Sequence, residues 1–264
     1  MRTGYLGPEG SYSHIAAGKL TPAGELCAYD SFPLLFRALK VGEVDFIVIP
    51  IENSLNGEVT QNIDLLQAED FVAVEECRIK IEHRLATLSG VDIMGIKRIY
   101  SHRQALDQCA KFLFDNFPNA KLIATPSTSA SLEMLVSKEE ACIVGAHTKR
   151  EGITLIDGNI SDYEENETRF LKVVRGKIDG DRHVEKIYIS VTCPNKSGSL
   201  LKLLEKVAQH GLNMSKLQSR PIKDRAHEFA FFIEIECDYA NPEVKRAVED
   251  IKKAALSFKI LGAY

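Results

Sequence analysis

The sequence predicts an α/β protein of two domains, and three features carry that reading. Over the first 175 residues, strand-like apolar runs alternate with helix-like patterns, which means a sheet with helices packed on it. Around Lys177-Ile-Asp-Gly-Asp181, glycine and charge take over for a few residues, as in a linker. The remaining chain reads βαββαβ, a ferredoxin-like unit of about 80 residues.

In the first domain, Tyr5-Leu6 leads into the turn Gly7-Pro-Glu-Gly-Ser11 and then a helix through Ala17. Ser31 suits the N-cap of a helix through Leu39, with Leu35, Phe36 and Leu39 on one face. Residues 46–49 form a continuous β-branched and aromatic run, the mark of a strand buried on both faces of a parallel sheet. Pro50 has no amide to donate and is expected to end that pairing. A helix is expected over 60–67. Segments 79–88, 98–100, 122–124 and 141–144 read as strands, with helices over 104–114 and 129–136.

In the second domain, Ile187, Ile189 and Val191 alternate as in a strand with one buried face. Leu200, Leu203, Leu204, Val207 and Ala208 follow helical spacing, and Gly211 supplies a stop. Phe229, Phe231, Ile233 and Ile235 alternate again. Asn241-Pro242 starts a helix with Val244, Ala247, Val248, Ile251 and Ala255 on one face. Strands over 212–221 and 257–261 complete the unit.

Composition excludes several classes of function. A net charge of -4 gives no electrostatic footprint for nucleic acid. No apolar run approaches the roughly 20 residues that cross a bilayer, so no membrane partner is expected. The start, Met1-Arg-Thr-Gly-Tyr, lacks a signal peptide's apolar stretch, and a cytoplasmic location is the default. The six cysteines form no C-x-x-C pair, and the seven histidines show no i, i+4 pairing. No metal is implied.

Four polar clusters follow predicted strands or open helices, and a fifth precedes the apolar stretch 171–174. They are Gly7 to Ser11; Glu52-Asn53-Ser54; Ser101 with Gln104 and Gln108; Ser127-Thr128-Ser129; and Asn166-Glu-Thr168-Arg169-Phe170. Polar groups at strand ends sit where open α/β folds bind ligands, and helix starts favour anions. Serine and threonine also cap helices for purely structural reasons, so each cluster alone says little.

Together these residues resemble the prephenate dehydratase family, over nearly the whole chain. Gly7-Pro-Glu-Gly-Ser-Tyr-Ser13, Pro50-Ile-Glu-Asn-Ser-Leu-Asn-Gly57, Ser127-Thr-Ser129 and Thr168-Arg-Phe170 look like its signatures, in the family's order. The second domain resembles its ACT module. Pro194-Asn-Lys-Ser-Gly198-Ser-Leu200 matches the turn into the first helix, and Ser219-Arg-Pro221 the effector loop.

The resemblance implies a two-lobed catalytic domain over 1–178, similar to type 2 periplasmic binding proteins, and an ACT domain over 184–264. One lobe would comprise 1–76 with 158–178, the other 77–157. It implies conversion of prephenate to phenylpyruvate, with loss of water and carbon dioxide and without a cofactor. The family assigns its essential hydroxyl to the Thr-Arg-Phe motif, hence Thr168. On acidity alone Glu52 is the better proton donor if desolvation raises its pKa, and both remain open here. Arg169 would anchor a carboxylate or position its loop, and Phe170 would wall the ring. Asn53, Ser54, Ser101, Gln104, Gln108, Ser127, Thr128 and Ser129 would orient the substrate.

The ACT resemblance implies phenylalanine as effector, at Gly198, Ser199, Leu200, Asn213, Gln218, Ser219, Arg220 and Pro221. It also implies a homodimer or homotetramer paired through ACT sheets. Two positions depart from the family. Gln218 stands where a glutamate precedes Ser-Arg-Pro, and a neutral amide cannot balance an ammonium charge. Arg103 stands where proline is common and is expected to face solvent. Arogenate dehydratase and a non-catalytic amino-acid sensor are the rival readings. With no helical segment before Gly4, a fused chorismate mutase is not expected.

Overall fold

The structure is a computed structural model, and it describes residues 1–178, 183–222 and 228–264. The expected linker thus lies partly outside the described residues. The first lobe opens with β1 (Arg2–Leu6), α1 (Tyr12–Leu20), β2 (Glu25–Tyr29), α2 (Phe32–Val41) and β3 (Phe46–Asn53). It continues through β4 (Gly57–Glu58), α3 (Thr60–Ala68) and β5 (Phe71–Lys80). The second lobe holds β6 (His83–Leu88), β7 (Arg98–His102), α4 (Arg103–Gln108), α5 (Ala110–Asn116), β8 (Lys121–Thr125), β9 (Glu140–Gly145) and β10 (Ile153–Leu155). The chain then returns to the first lobe as β11 (Glu167–Arg175).

Local chemistry explains these elements. Ser31 Oγ accepts from Leu34 N, Pro33 fixes the first turn, and Gly42 at φ 79° ends α2 in a left-handed turn. The apolar face of α2 (Leu35, Phe36, Ala38, Leu39) packs on Ile47, Ile49 and Leu171 of the sheet. β1 pairs parallel with β2 and β3, while β11 lies antiparallel between β3 and β5. The second lobe has its own sheet, ordered β10-β6-β9-β7-β8.

Five expectations need correction. Pro50 does not end β3, which runs on to Asn53. Pairing with β1 reaches only Val48, and a bulge at Ile51 adjusts the register against β11, so the missing amide is tolerated. The strand is also not purely parallel, because β11 runs against it. Residues 79–88 are two strands, since the chain crosses between sheets at Ile81-Glu82. The helix over 104–114 breaks at Cys109, and that over 129–136 shrinks to a 3-10 turn, Ala130–Met134. There the Glu140 carboxylate accepts from Val136 N and Ser137 N and draws the chain out of helix.

The C-terminal unit comprises β12 (Lys186–Thr192), α6 (Ser199–Gln209), β13 (Asn213–Pro221), β14 (Phe229–Glu236), α7 (Pro242–Ala254) and β15 (Ser257–Ala263). Its antiparallel sheet, ordered β13-β14-β12-β15, buries Ile187, Ile189, Val191, Ile233 and Ile235 under the two helices. Its other face, with Tyr188, Ala230 and Phe232, packs on the first lobe's core. The two sheets become one of ten strands where Gly262 of β15 pairs with Ala73 of β5.

That joint requires glycine. A Cβ on Gly262 would sit 2.6 Å from the Tyr264 ring and 2.9 Å from Ala73 Cβ. Gly262→Ala is therefore expected to lower stability by about 1–3 kcal/mol through overpacking. Urea unfolding checks this, and an unchanged midpoint contradicts the close approach. No helix among the described residues is long and apolar enough to cross a membrane.

Candidate active site

The chain crosses between lobes twice, and the crossings are bonded side by side. Ile81 N donates to Asn166 O at 2.7 Å, Ile160 N donates to His83 O at 3.0 Å, and His83 N donates to Asn159 Oδ1 at 3.1 Å. A cavity of ≈ 290 Å³ opens against this hinge. Tyr12, Asn53 and Thr168 wall it from one lobe. Ile81 and His83 line the crossing, and His102, Gln104, Ala105, Gln108, Pro126, Ser127 and Thr128 close the other side. No carboxylate, lysine or arginine is among these lining residues. A hollow of ≈ 660 Å³ between α3 and β15 holds none of the five polar clusters.

A chain of amides sets the polarity of this cavity. Asn53 Oδ1 accepts from Leu55 N, Asn56 N and Asn56 Nδ2, at 3.1, 3.0 and 2.9 Å. Three donors on one atom fix which end of the amide is oxygen. Asn53 Nδ2 must then donate, and it does so to Asn166 Oδ1 at 2.7 Å, Thr168 Oγ1 at 3.1 Å and Glu167 O at 3.1 Å. Asn166 Nδ2 in turn donates to Gln108 Oε1 at 3.2 Å. The same oxygen lies 2.9 Å from His83 Nε2, so that nitrogen carries the ring proton. Burial lowers the His83 pKa against the opposing Gln108 bond, which favours the neutral ring.

Within this amide network two donors are left over. Thr168 Oγ1 already accepts from Asn53, and no described residue accepts its hydroxyl hydrogen. Gln108 Nε2 is buried and has no partner among the described residues. Tyr12, by contrast, is fully engaged. Its hydroxyl donates to Glu82 O at 2.5 Å and accepts from Glu82 N at 2.9 Å. His102 Nδ1 accepts from Gln104 N, so its proton lies on the other ring nitrogen. A neutral cavity with a free hydroxyl and a free amide donor suits an anionic substrate on which charge develops at an oxygen.

The prephenate dehydratase family model matches residues 3–177, and the ACT domain model matches 187–254. The chain belongs to the prephenate dehydratase family. A bifunctional chorismate mutase/prephenate dehydratase of Neisseria gonorrhoeae is 31% identical over 265 residues, 98% of this chain and 73% of the relative. The prephenate dehydratase of Arthrobacter aurescens, solved in complex with L-Phe, aligns with a TM-score of 0.90 at 25% identity, covering 100% of this chain and 90% of that one. A quorum quenching acylase has a TM-score of 0.88 at 23% identity, covering 100% and 97%, and this likeness shows the fold alone.

The prephenate dehydratase motifs do not all point into the cavity. Asn53, Thr168, Gln104, Gln108, Ser127 and Thr128 do. Ser129 lines an adjoining cavity of ≈ 390 Å³ with Pro8, Glu9 and Gly10, so the first and fourth clusters face each other across the lobes. Ser54 braces the 165–167 segment instead, accepting from Glu167 N and donating to Glu165 O. Ser101 is fully buried and donates to Ile143 O at 2.7 Å.

Strand alternation sends two more away, while Phe170 shares Thr168's face but is covered by the core. Glu52 lies on the opposite face, bonded to Lys216 Nζ at 2.9 Å, out of reach as the cavity's acid. Arg169 points the same way, to Glu234, and Phe170 is buried among Tyr5, Val48 and Ile79. Arg103 does face solvent, paired with Asp107 at 3.0 Å. His83, His102 and Tyr12 were missed. Asn166 lay within a flagged motif and Tyr12 within a quoted signature, but a lone buried histidine gives no pattern to read.

In the ACT module, Gly198 at φ 79° precedes α6, and no side chain caps the helix that Ser199 and Leu200 open. Asn213 Nδ2 donates to Glu236 Oε2. Alternation along β13 divides the effector loop. Gln218 and Arg220 turn toward the first lobe, where Arg220 pairs with Asp64 at 2.8 Å, while Ser219 and Pro221 are exposed.

Proposed function

We propose that the cavity between the lobes converts prephenate to phenylpyruvate, with the Thr168 hydroxyl donating to the leaving hydroxyl group. The orientation of Asn53 carries this reading, because it makes Thr168 Oγ1 an acceptor within the protein and frees its hydrogen for the cavity. In the reaction the ring carbon–carboxylate bond breaks and its electron pair enters the ring. The opposite carbon–oxygen bond breaks, and carbon dioxide and water leave. One proton is consumed, delivered through Thr168 and replaced from solvent.

The neutral walls fit this chemistry. No lining cation fixes the carboxylate that must depart, while Gln108 Nε2 and the Ser127 and Thr128 hydroxyls hold the substrate by hydrogen bonds. Arg169 and Glu52 act from outside the cavity. The domain division near residue 180 is part of the same proposal, with catalysis before it and regulation after.

For the ACT module we infer phenylalanine as effector, supported by the L-Phe complex of the Arthrobacter aurescens relative and by the uncapped start of α6, which suits a carboxylate. β13 is the free edge of its sheet, with Leu217 exposed, which supports pairing with a second copy. The test is ultraviolet detection of phenylpyruvate from prephenate, with and without phenylalanine. Formation of phenylpyruvate, slowed by phenylalanine, is expected. Turnover of arogenate in place of prephenate, or of neither, overturns the reading.

A further inference from the structure

The strands that carry Thr168 and Asn53 into the cavity carry their neighbours, Arg169 and Glu52, out of its back. Both neighbours reach the C-terminal sheet. Arg169, 5% exposed, donates Nη1 to Glu234 Oε2 at 2.8 Å and Nη2 to Glu234 Oε1 at 2.5 Å. Glu234 on β14 is itself 3% exposed, and the Tyr264 hydroxyl donates to it at 2.9 Å. Glu52 is held by Lys216 of β13. The strand that bears the proposed effector loop, β13, and its paired neighbour β14 are therefore tied to the residues next to the donor hydroxyl and its amide.

A forked guanidinium–carboxylate pair fixes two planar groups against each other, so a small displacement costs much of its energy. Burial works to raise the Glu234 carboxyl, but the Arg169 hydrogen bonds and charge outweigh it and hold the carboxyl below its usual range. The pair stays charged. A buried pair contributes little net stability compared with apolar residues of the same volume. Cohesion between the two sheets comes instead from Tyr188, Phe232 and Leu261, packed on the first lobe's core. What the pair adds is geometry.

We propose that Glu234 is a positioning residue for the dehydration: through Arg169 the ACT sheet sets where the Thr168 hydroxyl lies, and Lys216–Glu52 does the same for Asn53. The proposal rests on the cavity being the active site. It implies that effector binding at α6 and β13 changes kcat rather than KM, because the hydroxyl it moves acts on the leaving group while Gln108, Ser127 and Thr128, which hold the substrate, lie on the other lobe.

The test compares Glu234→Gln, and the double variant Arg169→Met with Glu234→Met, to wild type. Glu234→Gln is expected to lower kcat by about 10–100-fold, as a displaced reacting group does, with KM within about threefold. The double variant removes the unpaired buried charge and is expected to melt no lower than Glu234→Gln, yet to keep a low kcat. Wild-type kcat in either folded variant overturns the proposal, as does activity that simply tracks the folded fraction. Wild type inert toward prephenate overturns the functional reading itself, and this inference with it. Active wild type with unimpaired variants overturns only the inference.

Discussion

Asn53→Asp should lower kcat for prephenate by about 10²–10⁴-fold, the usual contribution of a positioned proton donor. The change is nearly isosteric, and an aspartate oxygen still accepts from Leu55 N and Asn56 N as Asn53 Oδ1 does. What it loses is the donor at Nδ2. Thr168 Oγ1, 3.1 Å away, would then face an acceptor, and its hydrogen would turn toward position 53 and out of the cavity. The new negative charge would also raise KM for a dianion. Steady-state kinetics on folded protein check both effects, and a kcat near wild type would mean that the amide does not orient the hydroxyl.

Gln108→Glu should act mainly on KM, raising it by about 10–100-fold. Gln108 Oε1 serves Asn166 and His83, so Nε2 is the end left for a ligand. A carboxylate there removes a donor to a charged group, about 1.5–3 kcal/mol, and sets like charge against the substrate. A matching loss in kcat alone, with KM unchanged, would place Gln108 in the chemistry rather than in binding.

Much of this site was legible in the sequence because four of the five clusters carry residues that face the cavity: Asn53, Gln104 with Gln108, Ser127 with Thr128, and Thr168. Direction was harder to read. Glu52-Asn53 and Thr168-Arg169 look like single clusters when scanned along the chain, yet each sits on a strand whose side chains alternate. The period of two, applied outward from Thr168, would have placed Arg169 on the far side. Its partner could not have been found that way, since Glu234 lies 65 residues downstream in another module. Ser101 fails for a related reason, because its hydroxyl is spent on the Ile143 carbonyl of the adjacent strand.

The fold was readable where apolar periodicity was strong, as in α2, α6 and α7, each with a buried stripe. It was less so at β2 and β10. These strands are short, lie at sheet edges and have few fully buried side chains, so neither shows an alternating signature. The break at Cys109 and the 3-10 turn at Ala130–Met134 follow from tertiary bonds, including Lys111 N and Phe112 N to Asp162, that override local propensity.

The rate of phenylpyruvate formation by Thr168→Ala at saturating prephenate, beside wild type, tests the core of the account most directly. A fall of about 10²-fold or more with a near-normal KM is predicted, since only the proton donor is removed. Turnover within about threefold of wild type would mean that the hydroxyl freed by Asn53 takes no part in the reaction.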